Sequence, residues 1–177
     1  PEKARLSAEL ADAAGTPVNF HFQKDVSQPK AQAFLEAQWK RAGCSERARL
    51  AVFCGSPDGP EATRPVARRD AARGWLLLSS ASLTQERLPE YLDALDKFKP
   101  DFVHASPTVA LRLAGWLESA GHPWRLPLRG LLCGSGPLTH PEKRRLERAF
   151  QCRVQRGYGN AERAVLAGEG RQSELLY

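Results

Sequence analysis

Residues 128–162 read LRGLLCGSGPLTHPEKRRLERAFQCRVQRGYGNAE. An apolar run (Leu128, Leu131, Leu132, Cys133) stops at a turn of small residues, Gly134-Ser135-Gly136-Pro137. Thr139-His140-Pro141-Glu142 follows with the spacing of a capping box, so a helix starts there, and Leu146, Ala149 and Phe150 give it a buried face. A second short apolar run (Cys152, Val154) leads into a glycine-flanked segment, Gly157-Tyr158-Gly159-Asn160-Ala161-Glu162. This is the pattern of strand, crossover helix, parallel strand, which predicts turns at two strand C-terminal ends. Open α/β sheets hold ligands along that edge.

The same alternation extends towards the N-terminus. Ser106-Pro107 has the N-cap/N1 pattern, and Leu111, Ala114 and Leu117, with Val109 as a further candidate, face inward up to Gly121. Phe102-Val103-His104 is a short strand before it. Leu88, Tyr91, Leu92, Leu95 and Phe98 mark an amphipathic helix, with Thr84 a candidate cap, Pro89 near the regular start and Pro100 the stop. Trp75–Ser79 and Leu50–Cys54 are continuous apolar runs, as in strands covered on both faces. Ala31, Phe34, Leu35, Trp39 and Ala42 predict a one-sided helix ending at Gly43, and Val18–Phe22 alternates like a half-buried strand. The expectation is one α/β domain over residues 1–177, with a mainly parallel sheet and flanking helices. Its parts are a first strand–helix–strand segment (15–54), an exposed loop (55–74), βα units carrying the two turns (75–162) and a weakly patterned tail (163–177).

Composition narrows the class. With 42% hydrophobic and 26% charged residues, the chain can bury a proper core. No apolar run approaches the roughly 18 residues of a membrane span, and residues 1–15 lack the apolar centre of a secretory signal. A cytoplasmic location is expected. The four cysteines (Cys44, Cys54, Cys133, Cys152) lack CxxC spacing and fit buried thiols better than disulfides or zinc. The net charge of +6 admits a nucleic-acid module as one alternative. Yet Lys143-Arg144-Arg145 shares its helix with Glu142 and Glu147, which reads as a solvated face and argues against nucleic acid. Nothing points to zinc or haem.

The two turns carry the candidate chemistry. In Gly134-Ser135-Gly136-Pro137 the backbone can approach an aromatic base closely, although an ordinary connection explains such a turn as well. In Tyr158-Gly159-Asn160-Ala161-Glu162 an aromatic ring could stack on a base. Glu162 could hold Mg²⁺, or simply pair with Arg156 or Arg163. Of the four histidines, His104 stands out, placed at a strand end beside a helix start.

Taken in order, Ser79-Ser80-Ala81-Ser82-Leu83-Thr84, Lys99-Pro100-Asp101-Phe102-Val103, Ser106-Pro107, Gly134-Ser135-Gly136-Pro137-Leu138-Thr139, Phe150-Gln151-Cys152-Arg153-Val154 and Tyr158-Gly159-Asn160-Ala161-Glu162 resemble the central segment of adenylate-forming acyl ligases. The nearest group is the phenylacetate–CoA ligase-like enzymes with the CapK-type capsule proteins. The resemblance runs from about Gly15 to Glu162. It implies part of the large N-terminal domain of such enzymes. They use ATP to convert a carboxylate to an acyl-AMP, and a thiol such as coenzyme A then accepts the acyl group. It also implies that Gly134, Ser135, Gly136 and Pro137 lie against adenine, that Tyr158 stacks there beside Gly159, Asn160 and Ala161, and that Glu162 binds Mg²⁺. His104, Ala105, Ser106 and Pro107 would line the acyl pocket.

Three positions depart from the family pattern. The segment matching its phosphate loop is Leu10-Ala11-Asp12-Ala13-Ala14-Gly15, without hydroxyls and with a carboxylate that repels triphosphate. Ala161 stands where the family has threonine, and Ala105 where it has an aromatic. The expectation is therefore a ligase segment that is inactive alone, or is completed by a protein subunit. The alternative is a degenerate relative that binds ligands or acts as a scaffold. A sheet that ends early would also favour homo-oligomers.

Overall fold

The computed structural model describes residues 37–55, 65–121, 123–134, 136–159 and 166–168. Among the described residues seven strands form the sheet: β1 (Leu50–Cys54), β2 (Ala67–Asp70), β3 (Trp75–Ser79), β4 (Phe102–Ala105), β5 (Gly130–Cys133), β6 (Val154–Gly159) and β7 (Leu166–Gly168). Three helices separate the later strands: α1 (Leu88–Phe98), α2 (Pro107–Ser119) and α3 (His140–Phe150). The strand order is β2-β3-β1-β4-β5-β6-β7. The five central strands pair in parallel, and β2 and β7 are antiparallel additions at either end. The expected α/β class with a mainly parallel sheet is what the chain forms. The expected strand Val18–Phe22, the start of the first helix and the segment Leu10–Gly15 lie outside the described residues.

Both faces of the central strands are covered, which is why their sequences do not alternate. On one face Ala51, Leu78, Val103, Leu131 and Val154 pack under Tyr91 and Leu95 of α1, Val109 and Leu113 of α2, and Leu146 and Phe150 of α3. On the other, Leu50, Phe102 and Leu132 meet Cys44 and Trp39, the latter from the helical stretch 37–41. The cross-strand register puts Leu77, Val52, His104, Leu132 and Gln155 in one row, one residue out of step with the row beneath the helices. His104 therefore points away from α1–α3, because successive side chains alternate across a strand.

Local chemistry sets the helix starts. Thr139 and Glu142 form the full capping box: the Glu142 N–H donates to Thr139 Oγ1 at 3.4 Å, and the Thr139 N–H donates to Glu142 Oε2 at 2.8 Å. Ser106 caps α2 by accepting from the Val109 N–H at 3.4 Å, with Pro107 at the first helical position. α1 differs from expectation. Its N-cap is Arg87, with no side-chain cap bond, so Thr84 does not serve.

Four further expectations are corrected. Residues 67–70 were expected to continue a loop, but they form edge strand β2, held by the β3 backbone. Its exposed Arg68 and Arg69 put charge on that edge, which discourages sheet-to-sheet pairing there. Tyr158 and Gly159, expected in a turn, belong to β6 and pair with Ala167 and Leu166 of β7, inside the expected tail. The second strand starts at Val154, leaving Cys152 before it. The cysteines are not uniformly buried: Cys44 and Cys133 are, Cys152 is half-buried and Cys54 is exposed. Among the described residues no helix is long and apolar enough to cross a membrane.

Candidate functional site at the strand C-terminal edge

Where β4, β5 and β6 end, the chain brings His104, Gly134 and Gly157 together. The Gly134 N–H donates to the Ala105 carbonyl at 3.2 Å, tying the β5 turn to the end of β4. A Cβ on Gly134 would lie 3.4 Å from His104 Nε2 and 3.9 Å from the Gly157 carbonyl oxygen. The φ of Gly134 is not among the positive ones and a Cβ would make only ordinary van der Waals contacts, so what the glycine leaves here is open space beside His104 and Gly157. A Cβ on Gly136 would sit 3.5 Å from Pro107 Cδ, which closes the turn onto the start of α2.

Beside Gly134 lies a small cavity of about 20 Å³, lined by Gln38, Trp39, His104, Gly134, Gln155 and Gly157 among others. The Trp39 indole tilts over His104, with ring centroids 5.3 Å apart. As a residue His104 is half-buried, yet its Nδ1 is fully buried and has no hydrogen-bond partner. Burial accordingly pushes the His104 pKa down from 6.5 to about 4, and the ring is neutral at pH 7. Gln38 Oε1 is a second buried atom without a partner.

The other expected site residues fall in different places. Ala105 is buried in the core beneath the helices, on the face opposite His104. Ser106 is engaged in capping α2, and Pro107 is buried in its first turn. Ser135, Asn160, Ala161 and Glu162 lie outside the described residues, and for Tyr158 and Gly159 only the strand backbone is described. Gln38 and Gln155 are cavity residues that the sequence reading missed. A signal for Gln38 existed: it follows Phe34 by four positions, on the flank already assigned as buried. Gln155 faces the cavity because it sits opposite Leu132 in the register.

A larger hollow of about 330 Å³ opens at the opposite, N-terminal ends of the strands, between Trp39, Cys44, Leu50, Arg73 and Trp75. Size alone would favour it, but its chemistry is quiet. Lys40 pairs with Glu46 at 2.8 Å and Arg73 with Asp70 at 3.0 Å, while burial pushes the Cys44 thiol up to about 11. The basic run of α3 is likewise committed: Lys143 is buried and Arg145 pairs with Glu118 at 2.6 Å.

Comparison with solved structures places the architecture. 2-Hydroxyisobutyryl-CoA ligase, in complex with 2-HIB-AMP and CoA, matches 97% of this chain and 45% of its own, at 15% identity and a TM-score of 0.57. In fold, the chain is similar to part of that ligase. A malonyl-CoA ligase with methylmalonyl-CoA and AMP bound matches 92% of this chain and 34% of its own (15% identity, TM-score 0.53). A benzoate CoA ligase from Burkholderia xenovorans matches 78% and 28% (13% identity, TM-score 0.50). The chain thus spans less than half the length of these structures. No family model matches it, and no curated protein does.

Proposed function

We propose that this chain is the central, base-binding part of an adenylate-forming acyl ligase, of the phenylacetate–CoA ligase-like kind, and that it binds adenine nucleotide without completing adenylation by itself. One observation carries the reading. The C-terminal edge of the parallel sheet is kept open at Gly134, where a side chain would fill the space up to van der Waals contact with His104 and Gly157. Small residues at that edge let a flat base approach the backbone. The ordered motifs of residues 79–162 and the ligase fold agree with it.

In this reading Gly134–Pro137 lie against adenine and Tyr158 stacks on it, with Gly159, Asn160 and Ala161 continuing that wall. A carboxylic-acid substrate lies towards His104, Ala105, Ser106 and Pro107. The neutral His104 ring contributes a wall that repels no anion and donates no charge. When bound, ATP supplies the activating phosphates, and Mg²⁺ held by Glu162 offsets their charge. Coenzyme A is the thiol acceptor. The segment Leu10–Gly15 offers the triphosphate a carboxylate, Asp12, and no hydroxyl, so a completing subunit is needed for the chemical step. A cytoplasmic setting suits these substrates.

Carboxylate-dependent exchange of pyrophosphate into ATP tests the catalytic half of the proposal. We expect no exchange above background from this chain alone. Exchange that depends on an added carboxylic acid would show that Leu10–Gly15 still supports phosphate chemistry, and would overturn the need for a completing subunit.

A further inference from the structure

Two residues that line the cavity beside Gly134 each carry a buried polar atom that the protein leaves unsatisfied, Gln38 Oε1 and His104 Nδ1. Buried polar atoms normally find partners, and those that do not require an explanation such as a ligand or a water. Gln38 is only 6% exposed, so bulk solvent does not serve it. The cavity of about 20 Å³ has room for one water-sized group and no more.

The chemistry of the two atoms restricts what fills it. Gln38 Oε1 only accepts, so the occupant must donate. In the tautomer that carries its proton on Nδ1, the neutral imidazole donates in turn, and the occupant then also accepts. A hydroxyl does both with one atom. A methyl does neither, and a carboxylate oxygen cannot donate. An ammonium cannot accept, and Arg156 also lines the cavity and repels it.

We propose that this cavity is the far end of the acyl pocket and selects a short carboxylic acid bearing a hydroxyl over the same acid without one. The hydroxyl donates to Gln38 Oε1 and accepts from His104 Nδ1, while Trp39 packs against the adjoining carbon. This inference rests on the proposed function, since it assumes that the acid lies towards His104. It goes further by assigning a substrate class and by giving Gln38 the selecting role.

Calorimetric titration of the full chain tests it, with 3-hydroxybutyrate against butyrate, lactate against propionate, and AMP in parallel. Leaving a buried acceptor unsatisfied weakens binding about tenfold or more. We therefore expect the hydroxylated member of at least one pair to bind about tenfold tighter, and Gln38→Leu to erase the difference. Gln38→Met, closer in shape, gives the same readout if the leucine variant does not fold. Equal affinity within each pair would mean that the cavity holds only a structural water, and would overturn the inference. So would AMP binding with no acid bound, which leaves the proposed function standing. Absence of both acid and AMP binding would remove the two together.

Discussion

Phe150→Ala is expected to lower the unfolding free energy by about 3–5 kcal/mol, the range for emptying a buried aromatic site. Phe150 is 1% exposed and closes the last turn of α3 against the sheet. Its ring meets Trp124 edge-on, with centroids 4.9 Å apart and planes at 70°. Such a pair contributes about 0.5–1.5 kcal/mol beyond its buried area. The residue also matters to the site. α3 runs from the turn after β5 to the start of β6, so loosening it releases both strands that frame Gly134 and Gly157. Against a total stability of about 5–15 kcal/mol, the loss is a large share of what holds the domain folded. Urea denaturation of the two proteins measures it. A midpoint unchanged within error would mean that α3 is not docked as described.

The second large effect is a loss of stability in mild acid. His104 has a folded pKa of about 4 against 6.5 for an unperturbed imidazole, and burial is the cause. Between these values the unfolded chain takes up the proton and the folded chain does not. Stability from this group is therefore complete above pH 6.5 and falls as pH drops towards 4. At 1.36 kcal/mol per pKa unit, the full loss is on the order of 3 kcal/mol. Carboxylates held below their ordinary range add to the loss only from about pH 5 downwards, where the unfolded carboxylates begin to take up protons, and leave the span above it to the histidine. Asp101 is one, its carboxylate accepting the Arg49 backbone N–H, and Glu142 another, accepting from the Thr139 backbone N–H. Between pH 7 and 5, unfolding free energies should decline in the native chain and stay nearly level in His104→Leu. Parallel profiles would show that the Nδ1 environment is not dry.

The βα series was legible because each link has a local cause. Continuous apolar runs marked strands covered on both faces, and Ser106-Pro107 and Thr139 to Glu142 marked helix starts by their hydrogen-bonding chemistry. β2 was not legible. Ala67-Arg68-Arg69-Asp70 has no apolar alternation, and the strand exists because the β3 edge supplies its partners. One non-local prop is Arg69, whose guanidinium lies 4.9 Å from the Phe98 ring centroid. The extension of β6 through Gly157, Tyr158 and Gly159 was hidden for a similar reason. Two glycines in three residues signal a turn, but β7 pairs with that backbone regardless of side chain.

The candidate site was half legible. His104 announced itself as a polar residue at a strand end, and Gly134 as a small residue after an apolar run. That the two touch follows from register, which a single sequence does not display. Gln38 was hidden because a glutamine on a helix is ordinarily a surface residue. Only the packing of residues 37–41 against the far face of the sheet makes it a cavity wall.

The central claim is that the sheet edge at Gly134 receives an adenine base. Titration of AMP into the native chain and into Gly134→Val, in one calorimetric series, tests it most directly. The variant places carbon where the glycine Cβ position is already 3.4 Å from His104 Nε2, while the backbone itself tolerates a side chain. The proposal predicts that AMP binds the native chain and that Gly134→Val, still folded by circular dichroism, binds at least about tenfold more weakly, as expected when the flat approach of a base is blocked. AMP binding of equal strength to both chains, or to neither, would contradict it.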